Sequence, residues 1–310
     1  MSTAFVFPGQ GAQTIGMGRD LAQAYPAAQA VFDEVDDALG EKLSALIWEG
    51  DIEALTLTEN AQPALMATSI AAMRALEAEG ISVTRASFVA GHSLGEYSAL
   101  CAAGVFTLAD TARLLRIRGR AMQSAVPVGQ GAMAAILGLS AEEVTALAEE
   151  AAQGDVCQLA NENDPTQNVI SGSKAAVERA IEMAKGKGAK RALPLPVSAP
   201  FHCALMQPAA DEMARALADV TLADPSVPLV ANVLAESVST ADPIAQLLVE
   251  QVTGRVRWRS SVEWMVEQGV TEFWEIGAGK ALSGMIRRIH KDAVLRNVGV
   301  AADVTAALEA

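Results

Sequence analysis

The sequence predicts an α/β fold with a largely parallel sheet, into which a smaller domain is inserted. Short β-type runs alternate with helically spaced apolar residues in the outer parts of the chain, as in parallel sheets covered by helices. The middle of the chain has the order βαββαβ, which is the ferredoxin-like pattern. The chain has 310 residues, of which 51% are hydrophobic, so it can bury a sizeable core.

The elements of the larger domain are predicted in the outer parts of the chain. Residues 4–7 form a β-type run before a loop with two glycines, and residues 87–90 form a second run that ends at Gly91. Further strands are expected at 227–230 and 272–276. Apolar residues recur with helical spacing in five segments: 21–39, 61–76, 94–101, 108–122 and 205–217.

The inserted domain is predicted from the middle of the chain. Strands are expected at 133–137, 156–159, 168–170 and 191–195, and helices at 141–151 and 173–185. Turn-forming residues flank this region: Pro127 and Gly129 before it, and Pro194, Pro196 and Pro200 at its end. We therefore expect a small ferredoxin-like subdomain at 128–197 and a large subdomain made of 1–127 and 198–310.

Composition excludes several classes of protein. The 23 basic residues are outnumbered by 37 acidic ones, which argues against a nucleic-acid-binding protein. No apolar stretch is long enough for a membrane span, and the N-terminus has no basic region typical of a signal peptide. The three cysteines have no CxxC spacing, which indicates reduced thiols, a cytoplasmic location and no structural metal site.

The sequence Gly91-His92-Ser93-Leu94-Gly95 matches G-x-S-x-G, between a predicted strand and a predicted helix. This is the setting of a nucleophile elbow, where a sharp turn exposes the serine and the next backbone amide can stabilise an oxyanion. The first expectation is that Ser93 is a nucleophile and that the amide of Leu94 is an oxyanion donor. The alternative is a Gly-Ser turn that only caps a helix.

A serine nucleophile needs a base, and the chain has three histidines. His92 adjoins Ser93, so its side chain should leave the turn in another direction, and His290 lies among basic residues at a predicted helix end. His202 lies in a loop after Phe201 and before a helix. By elimination His202 is the candidate base, although a single loop histidine can also be structural.

The predicted helix at 108–122 contains an arginine on its apolar side. Arg118 shares a stripe with Leu114, Leu115 and Met122, whereas three other arginines share a face that we expect to be solvated: Arg113, Arg116 and Arg120. A guanidinium on an apolar face needs a partner. The pattern leaves two alternatives open, a structural ion pair and a fork that binds a ligand carboxylate.

The loop after the first predicted strand is a further candidate for the site. Glycines that follow a strand at the carboxyl edge of a sheet suit an active-site loop. The backbone amide of Gln10 in this loop could be a second oxyanion donor. A simple connecting loop explains the same residues equally well.

With these residues identified, the sequence resembles the family of malonyl-CoA:acyl carrier protein transacylases over nearly its whole length. Several motifs in the same order are far more specific than one serine elbow. They are FVFPGQGAQ at 5–13, TENAQPAL at 58–65, GHSLGEYSAL at 91–100, RIRG at 116–119, ISGS at 170–173, SAPFHCALM at 198–206, VRW at 256–258 and EIGAGK at 275–280.

The resemblance implies an α/β-hydrolase-like large subdomain with a ferredoxin-like insertion. It also implies that Ser93 accepts the acyl group and that His202 is its base. Gln10 and Leu94 would supply the backbone oxyanion donors, and Arg118 would bind the malonyl carboxylate.

Four further residues receive roles from the resemblance alone. Gln251, seven residues before Trp258, matches the family glutamine whose backbone carbonyl orients the histidine. Phe201 immediately precedes His202 and would therefore lie near the malonyl α-carbon, where in the resembling enzymes a bulky residue accompanies malonyl rather than methylmalonyl as the substrate. The alternative is a core residue that only packs the loop. Asn161 or Asn163 would line the site, and the resemblance does not distinguish between them.

The resemblance implies transfer of malonyl from coenzyme A to the phosphopantetheine thiol of an acyl carrier protein, in a ping-pong reaction without a metal or redox cofactor. We expect a monomer.

The carrier protein is acidic and this chain has a net charge of −14, so docking needs a local basic patch. Two basic clusters are candidates: Lys185, Lys187, Lys190 and Arg191, and Arg287, Arg288 and Lys291.

Four other interpretations remain at this point. A serine esterase would use the same elbow, but normally with an Asp or Glu to orient the histidine. A polyketide-type acyltransferase and a malonate decarboxylase-associated transacylase would use the same site on related substrates. A carrier-binding module without activity would have no need of Ser93, His202 and Arg118 together.

Overall fold

The computed structural model describes residues 2–197 and 199–309 and contains two β-sheets. The strands are β1 Ser2–Phe7, β2 Phe88–Gly91, β3 Gly131–Leu137, β4 Cys157–Asp164, β5 Gln167–Ser173, β6 Arg191–Pro194, β7 Leu229–Val230, β8 Ser237–Val238, β9 Val270–Ile276 and β10 Val294–Val298. The larger sheet has the order β10-β9-β1-β2-β7-β8 and the smaller one β4-β5-β3-β6.

Helices cover both sheets. The first seven are α1 Arg19–Ala24, α2 Pro26–Leu39, α3 Leu43–Glu49, α4 Ile52–Thr56, α5 Thr58–Ala78, α6 Leu94–Ala102 and α7 Leu108–Ser124. The others are α8 Ala141–Ala152, α9 Lys174–Gly186, α10 Gln207–Ala218, α11 Ile244–Thr253, α12 Trp258–Glu267, α13 Ala281–Ile289 and α14 Ala301–Leu308. Short 3₁₀ turns lie at Val83–Arg85 and Ala204–Met206. Among the described residues, no helix is long and apolar enough to cross a membrane.

The larger sheet is parallel except at one edge. Strand β1 lies between β2 and β9 and runs parallel to both, whereas β8 is antiparallel to β7. Successive residues of β1 face opposite sides: Phe5 and Phe7 join the core that contains α2, α5 and α7, while Ala4 and Val6 join the core that contains α12 and α13. The predicted α/β class with a parallel sheet is confirmed.

The smaller sheet is antiparallel, with β3 paired to both β5 and β6. Helices α8 and α9 pack on it around a separate core that includes Ile136, Val144, Leu147 and Ile170. Its strands span Gly131–Pro194, within the predicted inserted region, and the exact division at 127/128 and 197/198 stays a prediction. Residue 198 and the chain ends, Met1 and Ala310, lie outside the described residues.

Strand β4 connects the two units. The amide of Glu162 donates to the carbonyl of Val256 at 2.9 Å, and the amide of Val256 donates to the carbonyl of Ala160 at 2.8 Å. Arg288 of α13 also forms an ion pair with the buried Asp164 at 2.7 Å. These contacts fix the end of β4 against the large unit and bring its asparagines next to the elbow.

Several predicted boundaries were wrong. The single helical segment at 21–39 is two helices, because Tyr25 has an extended backbone and Pro26 starts α2. Strand β4 continues beyond 159 through a buried polar run, which apolar alternation does not reveal. Helices α3 and α4 and the edge strand β10 were not predicted.

Candidate active site

The elbow at Ser93 requires glycine on both sides of the serine. Ser93 has φ 54° and ψ −109°, a conformation that L-residues rarely adopt. A Cβ on Gly91 would lie 1.9 Å from the carbonyl oxygen of Gly95, and a Cβ on Gly95 would lie 2.2 Å from the carbonyl oxygen of Phe7. The two glycines therefore let β2, α6 and β1 approach closely enough to form the turn.

Asn232, two residues after β7, holds the strained turn from outside. Its side-chain Oδ1 accepts the amide of Ser93 at 2.9 Å, and its Nδ2 donates to the carbonyl of Gly91 at 2.7 Å. Its amide group thus binds the backbone on both sides of His92. Sequence reasoning missed Asn232, since nothing local shows that β7 lies beside β2.

His202 lies within hydrogen-bond distance of Ser93. Its Nε2 is 2.8 Å from Ser93 Oγ, and its Nδ1 is 2.8 Å from the backbone carbonyl oxygen of Gln251. A carbonyl only accepts, so Nδ1 must carry the proton and Nε2 is left to accept from the serine. The structure therefore brings together Ser93, His202 and Gln251 in the arrangement that acyl transfer needs.

The environment of His202 favours its neutral form. Burial, followed by the charge of Arg118, lowers the pKa of His202 to about 3. The hydrogen bond to Gln251 opposes this shift but is the smaller effect. The imidazole is thus neutral and able to accept a proton throughout the neutral pH range.

Arg118 is 1% exposed and directs its guanidinium at the elbow. Nη1 donates to Gln62 Oε1 at 2.7 Å, and Nη2 donates to Gln251 Oε1 at 2.8 Å and to Ser93 Oγ at 3.1 Å. The guanidinium also lies 5.6 Å from the centre of the Tyr97 ring. All these partners are neutral, which favours the ligand-binding alternative over a structural ion pair.

One of the three arginines expected to be solvated is buried. Arg116 is 6% exposed and donates to the carbonyl of Glu59 at 2.8 Å, with further contacts to Asn60 and Glu41. The prediction failed because this face of α7 packs against the start of α5. Arg113 and Arg120 are exposed, as expected.

A cavity of about 290 Å³ opens in front of Ser93, between the two units. Residues of both units line it, including Gln10, Gln13, Thr58, Gln62, His92, Ser93, Leu94, Arg118, Met122, Met133, Asn161, Leu195, Pro196, Val197, Phe201 and His202. Phe201 is buried at the cavity wall next to His202. Its predicted role, to restrict the α-carbon of the acyl group, stays a prediction.

The two candidate asparagines occupy different places. Asn161 lines the cavity, whereas Asn163 Oδ1 lies 2.9 Å from His92 Nε2. His92 lines the cavity beside Trp258 and is held by Asn163, and burial lowers its pKa. Asn161 is thus placed to contact a ligand, while Asn163 orients His92.

The two residues predicted to supply oxyanion donors, Gln10 and Leu94, line the same cavity as Ser93. Leu94 is the first residue of α6, where backbone amides have no acceptor within the helix. Gln10 follows β1, and its side-chain Oε1 accepts a hydrogen bond from Thr58 at 2.9 Å. Thr58 in turn accepts from Gln62 Nε2 at 2.9 Å, so hydrogen bonds connect the Gln10 loop to Arg118.

A buried carboxylate lies behind the site and was not singled out from the sequence. Glu96 is 1% exposed, and its Oε2 accepts from Gln251 Nε2 at 2.8 Å and from the amide of Asn232 at 3.2 Å. Burial raises the pKa of Glu96 to about 7, against the effect of these donors and of Arg118. The only sign of Glu96 in the sequence was its position, three residues after the candidate nucleophile.

Comparison with known proteins identifies relatives over almost the full chain. The model of the acyl transferase domain family matches residues 4–304. A malonyl CoA-acyl carrier protein transacylase of Escherichia coli K12 is 48% identical over 306 residues, covering 99% of this chain and 98% of that protein.

Solved structures give the same result. An acyl-carrier-protein S-malonyltransferase from Bartonella henselae is 57% identical, with a TM-score of 0.98 over 100% of this chain and 99% of that one. A malonyl-transacylase in complex with its type II PKS acyl-carrier protein is 45% identical, with a TM-score of 0.96 over 100% of this chain and 99% of that one.

The tautomer and charge of His202 can be tested directly. We expect its imidazole to stay neutral, with the proton on Nδ1, between about pH 5 and pH 8, because burial and Arg118 disfavour the cation. Long-range ¹H–¹⁵N spectra of the histidine side chains measure both properties, and the spectrum of His202→Ala assigns the signal. Protonation within this range, or a proton on Nε2 of the free protein, would contradict the arrangement described.

Proposed function

Because this chain belongs to the acyl transferase family, we propose that it transfers the malonyl group of malonyl-CoA to the phosphopantetheine thiol of an acyl carrier protein. The observation that carries the proposal is the buried Arg118, whose guanidinium contacts Ser93 Oγ and has only neutral hydrogen-bond partners. A carboxylate that reaches the nucleophile from the cavity would meet this guanidinium. The names of the relatives agree with that substrate class.

In the first half-reaction, Ser93 Oγ attacks the thioester carbonyl while its proton passes to His202 Nε2. The backbone amides of Gln10 and Leu94 stabilise the oxyanion, and Arg118 binds the malonyl carboxylate as a fork. The C–S bond then breaks, and the coenzyme A sulfur leaves with the proton from His202. Malonyl remains as an ester on Ser93.

The second half-reaction reverses these steps with a different thiol. His202 takes the proton of the phosphopantetheine thiol, and the sulfur attacks the malonyl ester. When the ester bond breaks, His202 returns the proton to Ser93 Oγ, and the thioester of the carrier protein is released. The reaction uses groups of this chain and of the two thiols, so no metal or redox cofactor is part of the proposal.

A neutral carbonyl orients His202 in place of a carboxylate, which favours transfer over hydrolysis. A carboxylate partner stabilises the imidazolium, and a carbonyl does so less. The proton acceptor at this site is therefore weaker, and a thiol gives up its proton far more readily than water does. The carbonyl partner of His202 also argues against a plain esterase. Measuring the hydrolysis of neutral esters alongside malonyl transfer would detect an esterase.

A second candidate function differs only in the carrier. The neighbour in complex with a type II PKS acyl-carrier protein favours a polyketide carrier as the alternative to a fatty acid one. A polyketide-type enzyme for methylmalonyl and a transacylase of malonate decarboxylation remain further alternatives. Comparing malonyl-CoA with methylmalonyl-CoA, each with fatty acid and polyketide carrier proteins, separates these possibilities.

We also propose that the protein acts as a monomer in the cytoplasm. The three cysteines are free and buried, which agrees with a reducing compartment. Light scattering after size exclusion measures the oligomeric state, and a stable dimer would overturn that part of the proposal.

We propose that the carrier protein docks on the basic cluster at 185–191. Lys190 and Arg191 are exposed, and strand β6, which begins at Arg191, leads to Leu195 and Pro196 at the cavity. Two other members of this cluster are engaged: Lys185 pairs with Glu182, and Lys187 pairs with Glu150.

The second cluster is a weaker candidate. Arg288 pairs with the buried Asp164, which leaves Arg287 and Lys291 as its remaining cations. No residue of α13 lines the cavity, whereas Leu195 and Pro196 follow the first cluster closely in the chain. The pair Arg287 and Lys291 therefore serves as a control for docking at Lys190 and Arg191.

The nucleophile is tested by mass spectrometry. We expect malonyl-CoA alone to add one malonyl group to the protein, and Ser93→Ala to abolish this labelling because no other residue carries the ester. Ser124→Ala, at an exposed serine outside the cavity, is the matched control and should be labelled normally. Labelling of Ser93→Ala at the wild-type rate would show that the nucleophile is another residue.

The role of Arg118 is tested by comparing acyl groups. Arg118→Ala should lose malonyl transfer while acetyl transfer survives or rises, because each lost hydrogen bond to a charged group is worth about 1.5–3 kcal/mol. Lysine at this position should rescue only partly, since it cannot bind a carboxylate as a fork. Arg116→Ala is the matched control on the same helix, and it should change both transfers alike. An equal loss of both transfers in Arg118→Ala would indicate a structural role.

The docking surface is tested by charge reversal. Lys190→Glu with Arg191→Glu should raise the KM for carrier protein and weaken its dependence on salt, because the docking attraction is electrostatic. Self-acylation by malonyl-CoA should stay near normal. Arg287→Glu with Lys291→Glu makes the same change in net charge at the other cluster. If neither double variant alters carrier kinetics, docking takes place elsewhere.

A further inference from the structure

We propose that Glu96 is a positioning residue that sets Arg118 for a malonyl carboxylate by fixing the side-chain amide of Gln251 between them. This inference rests on the proposed function, because it concerns how the same site selects its acyl group. Glu96 does not line the cavity and touches no substrate in this proposal. It acts only through residues that do.

The chemistry of its two neighbours fixes the orientation of the Gln251 amide. A carboxylate can only accept hydrogen bonds and a guanidinium can only donate them. Gln251 Nε2 therefore faces Glu96 at 2.8 Å, and its Oε1 faces Arg118 Nη2 at 2.8 Å. A flipped amide would place an N–H group against the guanidinium and would turn its oxygen toward Glu96 Oε2 and the carbonyl of Ser93, which now accepts from Nε2 at 2.9 Å. One orientation alone therefore pairs every donor with an acceptor.

Arg118 depends on this orientation more than the other groups of the site do. One of its Nη2 bonds ends on Gln251 Oε1, which belongs to a side chain. The base, by contrast, is held by the backbone carbonyl of Gln251, which α11 fixes independently. Loss of the carboxylate should therefore disturb Arg118 first and His202 less.

Glu96 also contacts Asn232, but other hydrogen bonds hold Asn232 in place as well. Glu96 Oε2 accepts the amide of Asn232, which stabilises the elbow. The Asn232 backbone is held in addition by the amide of Arg257, which donates to its carbonyl at 3.0 Å, and its side chain binds Gly91 and Ser93. The elbow should therefore survive the loss of Glu96. The Gln251 amide would lose its shortest Nε2 bond and keep its bond to the carbonyl of Ser93 at 2.9 Å and a longer contact with Asn232 Oδ1 at 3.4 Å.

The experiment measures the rates of Ser93 acylation by malonyl-CoA and by acetyl-CoA in wild type, Glu96→Ala and Glu96→Gln. Glu96→Ala should lower the malonyl rate relative to the acetyl rate by about 10-fold or more, as expected for losing a hydrogen bond to a charged group. Glu96→Gln should restore most of the ratio, because its Oε1 can still accept from Gln251 Nε2.

A double-mutant cycle tests whether Glu96 acts through Arg118. In an Arg118→Ala background, Glu96→Ala should cause little further loss of malonyl acylation, because the group that it positions is already absent. Additive losses would overturn the proposal. The same holds if Glu96→Ala lowers the malonyl and acetyl rates equally.

Two further variants keep the result interpretable. Glu275→Ala removes another fully buried carboxylate, which holds the amides of Leu282 and Ser283 at the start of α13, and it should lower stability without changing the acyl ratio. If Glu96→Ala does not fold, Glu96→Asp keeps the charge but shortens the reach, and it should still lower the ratio. An unchanged ratio in Glu96→Asp would then overturn the proposal.

Failure of this inference differs from failure of the proposed function. If wild-type protein is not malonylated on Ser93, the proposed function is wrong. If the wild type is malonylated but the acyl ratio does not depend on Glu96, only the positioning role is wrong.

Discussion

A guanidinium that is withdrawn from water needs hydrogen-bond partners, and the site supplies them to both Nη groups of Arg118, whereas its Nε has none among the described residues. Its donors reach Ser93 Oγ directly and the side-chain oxygens of Gln62 and Gln251. Through Gln62 the bonds continue to Thr58 and the Gln10 loop, and Gln251 also holds the base. One buried charge thereby links Ser93, the Gln10 loop and His202, so the ligand carboxylate that we propose for Arg118 would be placed relative to all three.

The strained elbow is the second constraint, and the large sheet maintains it. Ser93 adopts its unusual backbone because Gly91 and Gly95 allow close approach and because Asn232 binds the backbone on either side. The strained backbone of the turn is thus stabilised by contacts with neighbouring strands and not by the turn itself. The small unit adds the other wall of the cavity, since the bonds of β4 to Val256 bring Asn161 to face the serine. Residues of both units therefore line the cavity.

Burial has opposite consequences for the ionisable groups around the elbow. It keeps His202 and His92 neutral, and it raises the pKa of Glu96 towards neutrality, because each group loses water that would stabilise its charged form. Arg118 reinforces the effect on His202 and opposes it on Glu96. His202 is therefore neutral without a negative partner, and the guanidinium of Arg118 faces the cavity with neutral hydrogen-bond partners.

Neighbouring residues in the chain were enough to predict the features that depend on local order. The strand, tight turn and helix around Ser93 follow from neighbouring residues, and so does the parallel α/β class. The scarcity of histidines singled out His202, whose Nε2 the structure places within hydrogen-bond distance of Ser93 Oγ.

Other features became visible only in the packed structure. They are the neutral partners of Arg118, the burial of Arg116 and the position of Asn161, rather than Asn163, at the cavity. Tertiary structure alone revealed Asn232 and Glu96, whose contacts span 139 and 155 residues of chain. Apolar periodicity shows which face of an element is buried, but the groups that meet there come from distant segments, and only the packing of those segments brings them together.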